Sequence, residues 1–212
     1  MKPLFVAVDV DGTLTKANIS FAFGRFLYRK GRISWLQALQ AAVRYAAHKI
    51  GLLSVPSLHK GMFASLFAKK DRREIEQEVV LFWNENWHTL IRSSVLEELD
   101  HLRDQRIALL SASPDFLVGE AAKRLGIHEW YATEYLTDSE GKFQRIGRVV
   151  TGEEKAKIVQ EVKKKGDNAI MALTDSMLDL PLLGEAAIVV VVSPEGKLAR
   201  LAKERGWRIV EV

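Results

Sequence analysis

The 212-residue chain contains no cysteine. Disulfide bonds, a thiol nucleophile and thiolate metal sites are therefore excluded, while the cellular compartment stays open. Internal repeats and low-complexity stretches are absent as well. With 48% hydrophobic residues, a chain of this length can bury one sizeable core and carry a small appended domain.

Acidic residues are missing from one long segment, which runs from Thr15 through Lys70. The same segment holds ten basic residues, which are Lys16, Arg25, Arg29, Lys30, Arg32, Arg44, Lys49, Lys60, Lys69 and Lys70. The rest of the chain has 21 basic and 27 acidic residues, so the excess positive charge lies in this segment. Such asymmetry predicts an anionic partner or substrate.

A signal peptide is not predicted, because Lys2 is followed by only a short apolar run that Asp9 interrupts. We therefore expect the protein to be cytoplasmic. Peripheral contact with a membrane, through the basic segment, is left open as an addition to this prediction.

The most informative motif begins at Asp9 and reads Asp-Val-Asp-Gly-Thr-Leu-Thr, directly after the apolar run 4–8. A buried strand that ends here places two carboxylates at the carboxyl edge of a parallel sheet, where α/β proteins bind ligands. Because Gly12 permits a turn, Asp9 can attack a phosphorus atom while Asp11 protonates the leaving oxygen. The motif therefore predicts phosphoryl-transfer chemistry.

An Asp-X-Asp-Gly motif by itself is also typical of a simple turn or of a calcium-binding loop. Calcium is disfavoured, because Leu14, Ala17 and Ile19 occupy positions where an EF-hand loop needs oxygen ligands. The choice between a turn and a catalytic motif depends on the rest of the chain.

A second polar cluster follows the apolar run 107–110, which we predict to be a buried strand. Ser113 as N-cap and Pro114 at the first helical position predict that a helix begins there. Ser111 would then offer its hydroxyl to a phosphate beside the N-terminus of that helix.

The third and fourth clusters supply a lysine and two more carboxylates. Thr151 to Glu154 has the form of a capping box, which places Lys155 in the first turn of a helix, where it can neutralise phosphate and nucleophile. The apolar run 169–173 predicts a strand that ends beside Asp175. Asp9, Asp175 and a backbone carbonyl together form a hard oxygen site suited to magnesium.

Each of these clusters has a simpler interpretation when it is taken alone. Ser111 and Ser113 can be helix-capping residues, Lys155 a solvated surface lysine, and Asp175 and Asp179 the charges of a turn and a helix start. Their order along the chain, Asp/Asp, Ser, Lys, Asp/Asp, favours a common site.

This order resembles the four motifs of the haloacid dehalogenase superfamily of phosphohydrolases, and the resemblance covers essentially the whole chain. It implies that Asp9 is the nucleophile and Asp11 the general acid/base. It further implies that Ser111 and Lys155 bind the substrate phosphate, and that Mg²⁺ is bound by Asp9, Asp175 and the backbone carbonyl of Asp11.

Within that superfamily, the chain is similar to the phosphoserine-phosphatase-like branch, subfamily IB. The long segment between the first two motifs, the stretch 132–147 and the ending 198–207 carry this similarity. Asp179 matches the second acid of the fourth motif, which orders the metal shell or the lysine in relatives. Thr174 departs from the pattern, since many relatives have glycine before the fourth-motif aspartate.

The alternation of predicted strands and helices indicates a Rossmann-like parallel sheet covered on both faces. Strands are predicted at 4–8, 107–110, 169–173, 188–192 and 208–210. Helices are predicted at 95–106 (behind a capping box at Ser94), 114–125, 152–165, 177–183 and 194–205. A small hairpin is predicted from 131–136 and 142–149. Residues 1–14 and 93–212 then form one catalytic core, and 15–92 form an inserted helical cap that closes over the site.

One predicted cap helix, 33–50, has a narrow polar stripe and a wide apolar face that carries Trp35 and Tyr45. Arg44 and His48 argue against a transmembrane span. We favour burial of this helix inside the cap, with an interfacial helix on a bilayer as the alternative. Nucleic acid is the least favoured partner, because no recognised binding motif accompanies the basic residues.

From the sequence we therefore expect a Mg²⁺-dependent phosphomonoesterase that acts through an aspartyl-phosphate. Phosphoserine is disfavoured as substrate, because phosphoserine phosphatases use a cap glutamate that the acid-free segment cannot supply. A lipid phosphate such as phosphatidylglycerophosphate fits better. A phosphotransferase, or a membrane- or partner-binding module with a vestigial site, are the alternatives. Arg25, Arg44, His59 and Lys60 are the candidate substrate contacts in the cap.

Overall fold

The computed structural model describes residues 4–166 and 169–211, so Lys2 lies outside the described residues. Its strands, in chain order, are β1 (Phe5–Asp9), β2 (Arg106–Pro114), β3 (Glu129–Thr133), β4 (Tyr135–Thr137), β5 (Phe143–Ile146), β6 (Ile170–Thr174), β7 (Ile188–Val192) and β8 (Arg208–Val210). Six of them form one parallel sheet in the order β3-β2-β1-β6-β7-β8, and β4 and β5 form a separate antiparallel pair. The predicted parallel α/β sheet is confirmed.

The helices are α1 (Ile19–Arg29), α2 (Trp35–Lys49), α3 (Val55–Met62), α4 (Arg72–Leu90), α5 (Ser93–His101), α6 (Asp115–Leu125), α7 (Gly152–Lys164), α8 (Leu180–Glu185) and α9 (Gly196–Arg205). A π-helical turn, Phe63–Phe67, continues α3, and a 3₁₀ turn, Met177–Asp179, precedes α8. Helices α1 to α4 all lie between β1 and β2, in the segment that we predicted to be an inserted cap, and the name cap is kept for them.

Strand β1 is buried along its whole length, because the sheet is covered on both faces. Val6 and Val8 point into one apolar cluster, while Phe5 and Ala7 point into the other. Continuous apolar sequence, rather than alternation, is what a strand in this position requires.

The sheet order has a topological switch point between β1 and β6. Successive strands are added on one side from β1 through β2 to β3, and on the other side from β6 through β7 to β8. In open α/β sheets, ligands bind in the crevice at the carboxyl ends of the strands that flank such a point. Asp9 ends β1 and Asp175 directly follows β6, so both lie at this crevice.

The cap leaves and rejoins the core at adjacent backbone positions. The backbone N–H of Lys16 donates to the carbonyl of Leu90 (2.7 Å), and the N–H of Arg92 donates to the carbonyl of Leu14 (3.0 Å). These bonds tie the two connections together, as an inserted unit requires.

The predicted helix 95–106 is wrong at both ends. Helix α5 begins at Ser93 after Arg92, which makes no side-chain cap, and the Ser94 hydroxyl has no partner among the described residues. The helix ends at His101, and Arg106 instead begins β2, where it pairs with Phe5 of β1. Strand pairing overrides the good helix propensity of arginine here.

The predicted hairpin is wrong in its first strand. Tyr131 and Ala132 belong to β3, an edge strand that pairs with Leu110 and Ser111 of β2. The hairpin itself is shorter and pairs Tyr135–Thr137 with Phe143–Ile146. The other predicted boundaries differ by few residues: β1 runs one residue further, α9 begins at Gly196, and the helix predicted at 177–183 is the 3₁₀ turn followed by α8.

The favoured interpretation of the 33–50 helix is also wrong, because α2 is not buried inside the cap. Ala41 is its one buried residue, and the large apolar side chains of Trp35, Leu39 and Val43 are exposed. Across residues 4–166 and 169–211, every helix is too short or too polar to cross a bilayer.

Candidate active site

Asp9 is the centre of the site and is nearly inaccessible, with 4% of its surface exposed. Its Oδ1 accepts a hydrogen bond from Lys155 Nζ at 2.5 Å. Its Oδ2 accepts one from the Thr13 hydroxyl at 2.9 Å. Strand β1 ends at Asp9. The chain then makes a tight turn, which is closed by a hydrogen bond from the backbone N–H of Thr15 to the carbonyl of Val10.

Thr13 lies between the carboxylates at the ends of β1 and β6. Its Oγ1 is 2.9 Å from Asp9 Oδ2 and 2.8 Å from Asp175 Oδ1, and it accepts from the backbone N–H of Asp175. A hydroxyl has a single proton to donate, so it cannot satisfy both carboxylates at once. The carboxylates of Asp9 and Asp175 therefore share one hydroxyl proton between them.

Asp11 turns away from Asp9 and toward the second predicted cluster. Its Oδ2 accepts from the hydroxyls of Ser111 (2.9 Å) and Ser113 (2.7 Å), and its Oδ1 accepts from the backbone N–H of Ile19 (2.7 Å). The prediction that Ser113 caps α6 is wrong, because Pro114 occupies the N-cap position and no side chain caps the helix. The Ser113 hydroxyl is instead directed into the site.

Lys155 joins the first and fourth motifs. It lies in the first turn of α7, as predicted, because Thr151 caps this helix by accepting from the N–H of Glu154. Only that half of the capping box forms, since the Glu154 carboxylate bonds Arg148 at 2.6 Å. The Lys155 ammonium also donates to Asp179 Oδ2 at 2.8 Å, which makes it a bridge between Asp179 and Asp9.

Thr174, the residue that departs from the family pattern, has a definite role. It is the last residue of β6 and fully buried, and its hydroxyl donates to Asp179 Oδ2 at 2.7 Å. The same hydroxyl accepts from the N–H of Ser176. Threonine is therefore accommodated as a strand residue that orients Asp179.

Two glycines allow the loops of the site to approach each other. Gly12 has a positive φ of 91°, and a Cβ there would be 2.1 Å from Asp175 Oδ2. A Cβ at Gly152, the first residue of α7, would be 1.8 Å from the carbonyl oxygen of Leu178. Neither position has room for a side chain.

The electrostatics of the site are dominated by burial. Burial raises the pKa of Asp9 to about 8; the nearby Lys155 acts in the opposite direction, and the neighbouring carboxylates add to the rise. Burial likewise raises the pKa values of Asp11 and Asp175. Burial lowers the pKa of Lys155, but Asp179 and Asp9 outweigh it and raise that pKa above the ordinary value.

These residues fit a bound magnesium ion. Four carboxylates, those of Asp9, Asp11, Asp175 and Asp179, lie around one ammonium group, which leaves excess negative charge in a site for an anionic substrate. In the described part of the chain no group of three or more His, Cys, Asp or Glu side chains has ligating geometry. Magnesium does not need one, because it keeps several waters and takes one or two carboxylates plus phosphate oxygens.

The cap contacts the site from two helices. Ser20 of α1 lies 2.7 Å from Ser113, oxygen to oxygen. His59 of α3 is buried; its Nδ1 is 3.0 Å from the Tyr135 hydroxyl, and its ring bonds the backbone of Ala112, between the two site serines. His59 thus packs the cap onto the end of β2, which carries Ser111.

The other candidate cap residues lie elsewhere. Arg25 and Lys60 are exposed, and Arg44 lies across Gly61 of α3, where a Cβ would be 2.8 Å from its Nε. The sequence missed Arg92, whose Nε donates to the carbonyl of Gly12 at 3.1 Å. No motif marks Arg92, because it enters the site by tertiary packing alone.

The chain matches the haloacid dehalogenase-like hydrolase family over residues 6–184. It is 27% identical over 216 residues to a phosphoserine phosphatase of Mycobacterium tuberculosis, which covers 95% of this chain and 68% of the relative. It is 24% identical over 213 residues to a histidinol-phosphatase of Neisseria meningitidis, covering 95% of this chain and 96% of the relative. Among solved structures, a protein with unknown function from Bordetella pertussis Tohama I superposes with a TM-score of 0.89 at 20% identity, covering 99% of both chains.

Proposed function

The chain belongs to the haloacid dehalogenase-like hydrolase family, and on that basis we propose that it is a magnesium-dependent phosphatase that hydrolyses phosphomonoesters through an aspartyl-phosphate on Asp9. The phosphatase assignment agrees with the relatives named phosphoserine phosphatase and histidinol-phosphatase. The observation that carries the mechanism is the convergence on Asp9 of Lys155 at 2.5 Å and Thr13 at 2.9 Å, with a second acid, Asp11, two residues further along the chain.

The first half of the reaction forms a bond between Asp9 and phosphorus. A carboxylate oxygen of Asp9 attacks, the bond from phosphorus to the ester oxygen breaks, and Asp11 gives its proton to that oxygen, so that the alcohol leaves. Burial raises the pKa of Asp11, which favours the protonated form that this step needs. Ser111 and Lys155 offset the charge that develops on the phosphoryl oxygens.

The second half reverses these roles. Asp11 takes a proton from water, the hydroxide oxygen attacks phosphorus, and the bond to Asp9 breaks to release inorganic phosphate. Magnesium, when bound by Asp9, Asp175 and the backbone carbonyl of Asp11, supplies Lewis-acid stabilisation of the phosphoryl oxygens. Asp179 and Thr174 hold the Lys155 ammonium in position.

For the substrate we propose a phosphomonoester without an ammonium group beside the phosphate, and specifically a lipid phosphate such as phosphatidylglycerophosphate. Phosphoserine and histidinol phosphate both carry an amino group, which a carboxylate would recognise. The cap helices α1 to α3 lie within the acid-free segment 15–70 and offer no carboxylate. An extra negative charge or an apolar tail suits this basic, apolar cap better.

The test is phosphate release from a panel that holds phosphoserine, histidinol phosphate, glycerol phosphate and detergent-dispersed phosphatidylglycerophosphate. We expect the lipid phosphate to give the highest kcat/KM, and Asp9→Asn to abolish turnover of every substrate with the fold intact. Asp104→Asn is the matched control, because Asp104 is exposed in the turn before β2. Near-normal turnover by Asp9→Asn would contradict the mechanism.

Two alternatives remain distinguishable in the same assay. A phosphotransferase would pass the phosphoryl group to an added alcohol such as glycerol, and the new phosphoester would form at the expense of inorganic phosphate. A binding module with a vestigial site would release no phosphate from any substrate. The complete set of Asp9, Asp11 and Asp175 supports hydrolysis over the second alternative.

A further inference from the structure

Helix α2 packs against the protein with polar side chains and leaves large apolar side chains exposed, which is the reverse of an ordinary surface helix. Three of its polar side chains face the protein: Gln37 Nε2 donates to the carbonyl of Ser65 (2.7 Å), His48 Nδ1 lies 2.8 Å from the carbonyl of Leu53, and Arg44 lies across Gly61. In a surface helix the apolar stripe normally faces the core and the polar face meets water. In α2 these polar side chains share the packed face with Ala38, Ala41 and Tyr45, and the larger aliphatic side chains face outward.

The opposite side of α2, which we call the outer face, is apolar and exposed. It consists of Trp35, Leu36, Leu39, Val43 and Ile50, which are 50% to 73% exposed, and Leu52 in the following turn is 74% exposed. Positions 35, 39 and 43 lie four residues apart and therefore on one stripe of the helix. A contiguous exposed apolar patch of this kind marks an interaction site.

Exposed basic residues lie on α2 itself and on the two helices that pack against it. Lys49 ends α2, Lys60 lies on α3, and Arg25 and Arg29 lie on α1, which packs against α2 through the stacked rings of Phe21 and Tyr45. All four basic residues are exposed. Within the described residues none of the four forms an ion pair, in contrast to Lys30 with Glu85 and Arg32 with Glu78.

We propose that the outer face of α2 is a docking surface for an anionic lipid bilayer, with the helix lying in the plane of the membrane interface. An apolar helix face beside basic residues that form no ion pair in the described part of the chain combines the two forces that bind interfacial helices to anionic lipids. Trp35 at one end is the residue type that prefers the interfacial region. The inference goes beyond hydrolysis and holds whether or not the substrate is a lipid.

A second copy of the chain fits this surface less well. An isologous contact sets the same patch of two molecules face to face. It would bring together two segments that have ten basic residues and no acid each. Like charges across an interface repel, whereas an anionic bilayer complements them.

The first experiment is co-sedimentation of the full chain with vesicles of phosphatidylcholine alone, and with vesicles that contain phosphatidylglycerol in addition. We expect binding to the anionic vesicles only, and weaker binding as salt rises. Leu39→Gln with Val43→Gln should weaken binding by at least about tenfold, because both side chains lose apolar burial in the bilayer. Leu81→Gln with Ile188→Gln is the matched control, since both residues are exposed apolar side chains outside α2, and it should bind as the unchanged chain does.

The charge contribution is tested separately by Arg29→Gln with Lys49→Gln, because both residues are exposed and neither is a candidate substrate contact. Each basic residue near an anionic surface contributes about fivefold to binding, so this pair should weaken it by at least about tenfold and flatten the salt dependence. Circular dichroism and hydrolysis of a soluble phosphomonoester check that every variant is folded and active. These readouts separate a failure of docking from a failure of the proposed function.

The fluorescence of Trp35 reports the orientation. The five tryptophans emit together, so the spectrum of Trp35→Phe is subtracted from that of the unchanged chain. We expect the difference to shift to shorter wavelength on anionic vesicles and to be quenched by brominated acyl chains. Absence of salt-sensitive vesicle binding, or a self-association that the Leu39→Gln and Val43→Gln pair removes, would overturn the proposal.

Discussion

Buried hydroxyl groups orient the carboxylates of this site at the scale of single residues. Thr13, Ser111, Ser113 and Thr174 each place an oxygen within 2.9 Å of a carboxylate oxygen. A hydroxyl orients a carboxylate without adding a charge, so Lys155 is the one cation in this group of contacts. The negative charge that remains is what a divalent ion would neutralise.

His59 gives the fold a pH dependence. Burial lowers its pKa to about 4, the bond with the backbone of Ala112 acts in the opposite direction, and the charge of His48 lowers the pKa further. In the unfolded chain His59 has the ordinary histidine pKa of about 6.5. Between pH 6.5 and pH 4 the ring is therefore protonated in the unfolded chain and neutral in the folded chain. Stability from the neutral ring is therefore fully present above the unfolded pKa and is lost as pH falls toward the folded pKa.

We expect His59→Gln to remove this dependence. Between pH 7.5 and pH 5.0 the unchanged chain should lose about 2 kcal/mol more of its free energy of unfolding than the variant. Urea denaturation at the two pH values measures the difference, and His128→Gln, at an exposed position, is the control. An equal loss in His59→Gln and the unchanged chain would contradict the assignment.

The carboxylates and the lysine of the site could be predicted from sequence because they directly follow or precede regular elements. Asp9 ends one buried strand, Asp175 directly follows another, and Lys155 lies in the first turn after a capping threonine. The hydroxyl of Ser111 was predicted as well, because it follows an apolar run. Those of Thr13, Ser113 and Thr174 were not, because serine and threonine near the ends of elements serve equally as caps. Ser113 had a satisfactory local explanation as an N-cap, and only the packing of α1 shows that Asp11 is its partner.

At the scale of elements, the contact between α7 and the 3₁₀ turn Met177–Asp179 fixes the geometry of Lys155. Gly152 begins α7 and touches the carbonyl of Leu178, so the third and fourth motifs meet backbone to backbone. Any side chain at Gly152 would push the start of α7 away from the turn. Lys155, one turn further along, would move with it.

Gly152→Ala is therefore expected to destabilise the protein by more than about 2 kcal/mol and to lower kcat. The alanine Cβ would lie 1.8 Å from the backbone carbonyl oxygen of Leu178, so the start of α7 would have to shift. Thermal unfolding and phosphate release measure the two effects. Gly24→Ala, inside α1, is the matched control, because nothing lies within 4 Å of a Cβ there. It should be neutral or stabilising by up to about 1 kcal/mol, as alanine favours helices; a similar gain at Gly152 would refute the close contact.

Element boundaries were predictable where a cap or a glycine marks them, as at Thr151 and Gly206. The predicted boundaries are wrong where a residue distant in the sequence determines the local structure by pairing with the segment. Arg106 has good helix propensity, but in the fold it pairs with Phe5 and bonds Glu129 of β3. Tyr131 was likewise predicted to lie in the hairpin, because the sequence does not show that it pairs with Leu110 of β2.

At the scale of the whole molecule, charge is divided between a basic cap and an acidic site at the edge of the core sheet. The acid-free segment 15–70 forms α1 to α3, while four carboxylates gather at the ends of β1 and β6. From this division we expect the cap to attract an anionic substrate or surface, and we expect the site to bind a cation that offsets the charge of its carboxylates.

Removal of metal should abolish activity, and magnesium should restore it. Calcium is expected to inhibit, since its larger and more flexible coordination shell disturbs in-line geometry. Because binding to the folded state alone raises stability, magnesium should also raise the Tm, and Asp175→Asn should lose that rise. Potassium chloride at matched ionic strength is the control; full activity after exhaustive chelation would contradict a magnesium site.

The position of β1 in the sheet has a consequence for how the chain is made. Phe5 pairs with Arg106 on one side and with Ile170 on the other, so β1 is a central strand whose two partners both come much later in the chain. Its apolar edges have no partners until most of the chain has been synthesised, and long-range pairing of this kind is slow. The cap helices, built from local contacts, can form during that interval, so the nascent protein must be protected at β1 rather than at its cap.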